Sequence, residues 1–147
     1  MDALDNAIDV QNLTVGYGSK VLLQKLNFSV KNGEIFVILG GSGCGKTTIL
    51  RLIGGQFTAQ SGQVLFEGKD IGRMADGQLM AARRRMGMLF QSGALFSDLT
   101  VHENVAFPLR AHTQLSESLI HDIVLMKLES VGLRGAEQLM PAELSGG

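Results

Sequence analysis

The chain has 147 residues, 45% of them apolar and 18% charged, with a formal net charge of -1. That is enough for one modest globular domain and too apolar for a disordered chain. The near-neutral charge gives no general electrostatic reason to expect nucleic acid as a partner. The one cysteine, Cys44, has no internal disulfide partner, which fits a reducing cytosol. The acidic start, Met1-Asp2-Ala3-Leu4-Asp5, lacks the cationic and apolar regions of a secretion signal. The longest apolar run, residues 35–39, is far below the roughly 18 residues that span a bilayer. Any role at a membrane is expected from the water side, through a partner.

In chain order, residues 8–15 alternate in part and 26–30 alternate cleanly between apolar and polar, as half-buried strands do. Lys31-Asn32-Gly33 marks a turn. Residues 34–39 are a continuous β-rich apolar run, the pattern of a strand covered on both faces in a parallel sheet. A glycine-rich loop, 40–45, follows, then a helix over 47–53 stopped by Gly54-Gly55. Residues 63–66 predict a short strand and 67–70 a turn. Asp76 is placed as the cap of a helix running to Met86, with Arg83, Arg84 and Arg85 as its solvated, dipole-favoured end. Residues 87–90 predict a second buried strand.

Beyond Gln91 the pattern turns helical. Thr100 and Glu103 match a capping box, and Val101, Val105 and Leu109 share one face of the helix it starts. Pro108 is expected to kink or end that helix. A further helix has Leu119, Ile123, Lys127 and Val131 as its stripe, thickened by Ile120, Val124 and Leu128, and stopped by Gly132. His102, His112 and His121 lack metal-ligand spacing and are expected as surface histidines.

Gly40-Gly41-Ser42-Gly43-Cys44-Gly45-Lys46-Thr47 fits the phosphate-binding loop G-x-x-x-x-G-K-[ST] without a mismatch. Glycine lets such a loop wrap closely, so that backbone N–H groups converge as an anion nest. The following helix, with Thr48 in its first turn, presents its N-terminus to the same phosphates. Lys46 supplies a compact positive charge for the β- and γ-phosphates, and the Thr47 hydroxyl is a ligand for Mg²⁺. ATP and Mg²⁺ are the expected ligands. Cys44 occupies a free position of the motif and is expected as a small residue packed within the loop.

A phosphate-binding loop alone admits kinases, GTPases, helicases and transporter ATPases. Three further segments make the chain resemble the ABC ATPases. Val15-Gly16-Tyr17-Gly18 precedes the loop, Gln91 follows Met88-Leu89-Phe90, and Leu144-Ser145-Gly146-Gly147 closes the chain. The resemblance implies that Tyr17 stacks on adenine and that Gln91 touches Mg²⁺ and the attacking water. It implies that Ser145, Gly146 and Gly147 grip the γ-phosphate of an ATP held by the opposite subunit. It covers essentially the whole chain. A narrower similarity lies in Gln91-Ser92-Gly93-Ala94-Leu95-Phe96 and Asn104-Val105-Ala106-Phe107-Pro108-Leu109-Arg110. These resemble the ATPase subunit of Mce-type phospholipid transporters, which maintain outer-membrane lipid asymmetry.

The implied fold is α/β, a P-loop core with an antiparallel β piece before it and a helical subdomain after it. Residues of about 1–90 would form the first two and about 91–147 the helical subdomain. The implied partners are a membrane permease, a second ATPase subunit and accessory subunits, at the cytoplasmic side of the inner membrane, with no nucleic acid. In this family the metal-binding Asp, the catalytic Glu and the switch His follow the signature. The 147 residues are therefore expected to be a fragment that binds nucleotide weakly at best and does not turn it over, with Ile35, Val37 and Leu39 left uncovered. Another ABC importer or exporter, a soluble ABC ATPase of translation or DNA repair, and a non-functional fragment stay open as alternatives.

Overall fold

The computed structural model describes residues 5–18, 20–90 and 93–144. The chain divides into two compact units, Met1–Met88 and Leu89–Gly147.

The first unit is built on a four-stranded antiparallel sheet in the order β2-β1-β3-β4. Strands β1 (Asn6–Tyr17) and β2 (Lys20–Lys31) form a long hairpin, and β3 (Ser61–Phe66) pairs with the other edge of β1. The two-residue β4 (Lys69–Asp70) closes the sheet after a tight turn. The alternation read from the sequence is the packing: Val10, Leu13 and Val15 are buried, and Leu52, Val64 and Ile71 join them in one core. A bulge at Asn12, held at φ 47°, shifts the register between Val10 and Leu13 so that both point inward. The Asn12 N–H donates to Asn27 Oδ1 at 2.8 Å, which ties the bulge to β2. Helix α1 (Lys46–Ile53) packs on this core through Leu52, and Gly54 caps it.

Two expected strands are not formed. Residues 34–39 and 87–90 form no regular element and no sheet pairing, and Ile35, Val37, Leu39 and Leu89 are 92%, 65%, 87% and 91% exposed. A strand needs a neighbour for its backbone N–H and C=O groups. Both edges of β1 are taken, and no described strand runs parallel to either segment. Within the first run Phe36 alone finds an aromatic partner, stacking on Phe28 of β2 with ring centroids 5.0 Å apart.

Helix α2 (Asp76–Arg83) differs from its expectation at both ends. Ala75, not Asp76, is its N-cap residue, and the Gln78 side chain accepts the Ala75 N–H at 3.3 Å. Asp76 lies inside the first turn, where its negative charge complements the positive end of the helix dipole. Arg83 is no solvated helix end. Its guanidinium donates to the carbonyls of Gly54 at 3.0 Å and Gly55 at 2.8 Å, the two residues that follow α1. Arg85 pairs with Glu67 and lies 5.7 Å above the Phe66 ring. Arg84 stays exposed.

The second unit is a pair of helices, α3 (Val101–His112) and α4 (Glu117–Ser130). The capping box at Thr100 is formed: its hydroxyl accepts the Glu103 N–H at 3.2 Å and Glu103 accepts the Thr100 N–H at 3.0 Å. Asn104 holds the preceding loop, donating to the carbonyls of Phe96, Leu99 and Thr100 and accepting the Phe96 N–H. Pro108 does not end α3, which runs four residues further. One missing amide bond is offset by packing on either side of it, where Ala106 and Leu109 meet α4. The face of α4 is the reverse of the expected emphasis. Ile120, Val124 and Leu128 are the buried stripe, while Leu119 and Val131 are 45% and 68% exposed.

Arg110 near the end of α3 grips Glu117 at the start of α4 through three N···O contacts of 2.7–3.1 Å. The Arg110 hydrogen bonds hold the Glu117 carboxyl below its ordinary value; desolvation opposes them, and the charges of Arg110 and His102 act in the same sense. A lowered folded-state pKa means that the ionised form gains on folding. The contribution is present above the unfolded value and fades as pH falls through the folded one. Both groups are solvent-screened, so the effect on stability is small. Arg110→Gln is expected to raise the Glu117 pKa toward its ordinary value, read by carboxyl ¹³C NMR titration; an unmoved titration would show that the pair does not form.

Candidate functional site

Every residue of the phosphate-loop motif lies on one short path in the first unit. Gly40 and Gly41 are irregular, Ser42 and Gly43 form a turn, and Cys44 and Gly45 bend into α1. Gly43 and Gly45 have φ of 79° and 101°, conformations that side chains resist. Gly45 is also buried against β2, where a Cβ would stand 2.9 Å from Leu23 Cδ1. Two constraints thus coincide at this position, a left-handed backbone and no room for an added carbon.

The first turn of α1 holds Lys46, Thr47 and Thr48, and its first internal amide bond is Ile49 N–H to Gly45 O at 3.0 Å. The amides of the three residues before Ile49 take no carbonyl among the described residues. N-terminal amides left in this way, at the positive end of the helix dipole, are donors to a phosphate oxygen. No side chain caps the helix. Thr47 is exposed, so its hydroxyl is accessible to a metal ion.

Lys46 folds back over the loop. Its ammonium donates to the carbonyls of Gly40 and Gly41, each at 2.6 Å, and lies 3.6 Å from Cys44 Sγ. Cys44 is exposed rather than packed away, although its Sγ would lie only 2.5 Å from a Cβ at Gly40. The donor set fits a nucleoside triphosphate's tail: converging backbone amides, one ammonium and one hydroxyl, with no carboxylate among them.

Tyr17 is the last residue of β1 and pairs with Lys20, at the same hairpin end as the Val15–Leu23 pair. Leu23 is the residue that abuts Gly45, so the tyrosine's backbone belongs to the strand pair on which the loop rests. The hairpin end is fixed from outside by Gln60, whose side chain donates to Gly18 O at 2.9 Å. The Tyr17 side chain, Gln91, Ser145, Gly146 and Gly147 lie outside the described residues. Sequence reasoning did not foresee the Arg83 bonds to Gly54 and Gly55 that close the far end of α1. A half-buried arginine about thirty residues downstream leaves no local pattern to read.

Taken together, an antiparallel β piece, a glycine-rich loop and a helix carrying Lys-Thr at its first turn define a P-loop nucleotide-binding domain. The model of the ABC transporter family matches residues 23–147, and the chain belongs to that family. It is 58% identical over 142 residues to the intermembrane phospholipid transport system ATP-binding protein MlaF of Haemophilus influenzae, covering 97% of this chain and 54% of that one. It is 51% identical to the Escherichia coli K12 protein of the same description, with 97% and 53% covered. A probable ribonucleotide transport ATP-binding protein of Mycobacterium leprae is 42% identical, with 96% and 41% covered. The chain thus spans about half the length of the curated relatives it matches. Among solved structures, the dimeric bacterial ABC transporter cassette MJ0796 superposes with a TM-score of 0.82 at 31% identity, covering 95% of this chain and 63% of that one. The post-hydrolysis dimer of MJ0796 bound to ADP and Pi gives 0.81 at 29%, with 94% and 63% covered. The expected α/β fold of an ABC ATPase is therefore shown.

Proposed function

We propose that the chain is the nucleotide-binding part of an ATPase subunit that drives phospholipid transport across the cell envelope. The observation that carries the nucleotide part is the α1 N-terminus, where three open amides, Lys46 and Thr47 share one glycine-rich turn. The phospholipid part is supported by the two relatives above 50% identity, both described as phospholipid transport ATP-binding proteins.

In this reading the amides of residues 41–47 and the Lys46 ammonium hold the triphosphate. Gly40, Gly41, Ser42, Gly43, Cys44 and Gly45 form the wall of the cradle, and Thr48 completes its helical side. Tyr17 stacks on adenine through its π face. Thr47 and Gln91 would hold Mg²⁺, which when bound neutralises charge on the phosphates. Lys46 keeps the γ-phosphate oriented, and Gln91 orients the attacking water. Ser145, Gly146 and Gly147 would bind the ATP of a second subunit, so that two copies close head to tail around two nucleotides. A permease, with accessory subunits, would anchor the pair at the cytoplasmic face of the inner membrane. No helix among the described residues is long and apolar enough to cross a membrane. Residues of about 1–90 would be the core and about 91–147 the helical subdomain that meets the permease.

The uncovered side chains of Ile35, Val37, Leu39 and Leu89 support a further part of the reading. Segments 34–39 and 87–90 would become strands on pairing with sequence equivalent to the other half of the relatives. The Asp, Glu and His that would complete metal binding and water activation beside Thr47 and Gln91 would belong there too. The test is steady-state phosphate release by the purified 147-residue chain. Release at background, unchanged by Lys46→Ala, is expected. Turnover that Lys46→Ala abolishes would overturn the assignment of hydrolysis to residues beyond this stretch.

A further inference from the structure

His102 is the second residue of α3 and His121 the fifth of α4. Nineteen positions apart in sequence, they meet in space: His102 Nε2 and His121 Nδ1 are 3.0 Å apart, with ring centroids at 5.1 Å and planes tilted by 38°. The helices that carry them are locked by the Ile120, Val124 and Leu128 stripe against Val101 and Ala106, so the juxtaposition is built by the packed core.

Between two facing imidazole nitrogens only a proton or a metal ion fits. Zn²⁺ binds imidazole nitrogen at about 2.0–2.1 Å, so two nitrogens on one ion at 90–109° stand roughly 2.9–3.4 Å apart. The observed 3.0 Å is already within that span. His χ2 has a broad torsional well, so both rings can turn their lone pairs to a common apex at little cost. His121 is exposed, which gives an ion and its waters access. Among the described residues no group of three or more His, Cys, Asp or Glu could hold an ion together. The described residues therefore offer two ligands, and water would take the other positions.

We infer that His102 and His121 form a two-imidazole site for a borderline divalent ion such as Zn²⁺ or Cu²⁺, which clamps α3 to α4. Imidazole suits these ions, while Mg²⁺ prefers oxygen ligands, so the site does not compete for the metal of the nucleotide. It stands independently of the nucleotide reading.

The experiment uses the whole chain carrying Cys44→Ser, which removes the thiol as a rival soft ligand. ZnCl₂ is titrated calorimetrically, and Cu²⁺ is followed by electron paramagnetic resonance. Saturable binding of one ion per chain is expected, with Tm rising as free Zn²⁺ increases. His102→Gln and His121→Gln should each weaken binding at least tenfold, and His112→Gln should leave it unchanged. The Cu²⁺ spectrum of the Cys44→Ser chain should show two nitrogen ligands, which needs no histidine variant to fold. No saturable binding, or affinity unaltered in both histidine variants, or a spectrum without two nitrogens, would overturn the proposal.

Discussion

Replacing Lys46 with alanine is expected to weaken Mg-ATP binding by about 30–150-fold. The figure follows from the roughly 2–3 kcal/mol of a hydrogen bond to a charged group. The same ammonium donates to the carbonyls of Gly40 and Gly41. Those two bonds are made on an accessible surface and exchange readily with water. Losing them should leave the fold intact, so the defect is one of binding. Calorimetry with Mg-ATP checks the affinity, and circular dichroism checks that Lys46→Ala keeps the parent's helical content. Equal affinities in the two proteins would remove Lys46 from the site.

Replacing Ile120 with alanine is expected to destabilise the second unit by roughly 2–5 kcal/mol, the range for large-to-small changes in a closed core. Ile120 is 1% exposed and packs with Val124, Leu128, Val101 and Ala106. Leu119, its neighbour in sequence, is 45% exposed. Leu119→Ala should stay within about 0.5 kcal/mol, as surface changes do. Urea unfolding of both variants, followed by helical circular dichroism, measures the contrast. Similar losses in the two would place the α4 stripe where the sequence pattern first put it.

That pair of positions shows where sequence reading stops. The apolar residues of α4 cover more of its circumference than one stripe. Periodicity allowed either 119-123-127-131 or 120-124-128 to be the buried line. Only the partner helix, with Ala106 fully buried against it, decides between them. The capping box at Thr100 was legible because it is a local pattern, complete within four residues. So was the phosphate loop, in which each residue acts on its immediate neighbours.

Other features depended on what the pattern could not contain. The run 34–39 has the composition of a doubly covered strand, yet composition does not supply the neighbouring strands that pairing requires. Arg83 was read from its neighbours as part of a charged helix end. It is instead committed to the carbonyls of Gly54 and Gly55, just past the end of α1, a contact that links positions 28 and 29 residues apart. His102 and His121 lack metal-ligand spacing along the chain because the spacing that matters runs between two helices.

The central claim is that the main-chain amides between Gly41 and Thr47 clasp a triphosphate, with Lys46 turning from its own loop to the anion. Backbone ¹H–¹⁵N NMR during titration with Mg-ATP reads those amides one by one, and tolerates weak binding. Large shifts confined to residues 40–48 and saturating together, abolished by Lys46→Ala, are the predicted result. Shifts elsewhere with residues 40–48 unmoved would contradict the account.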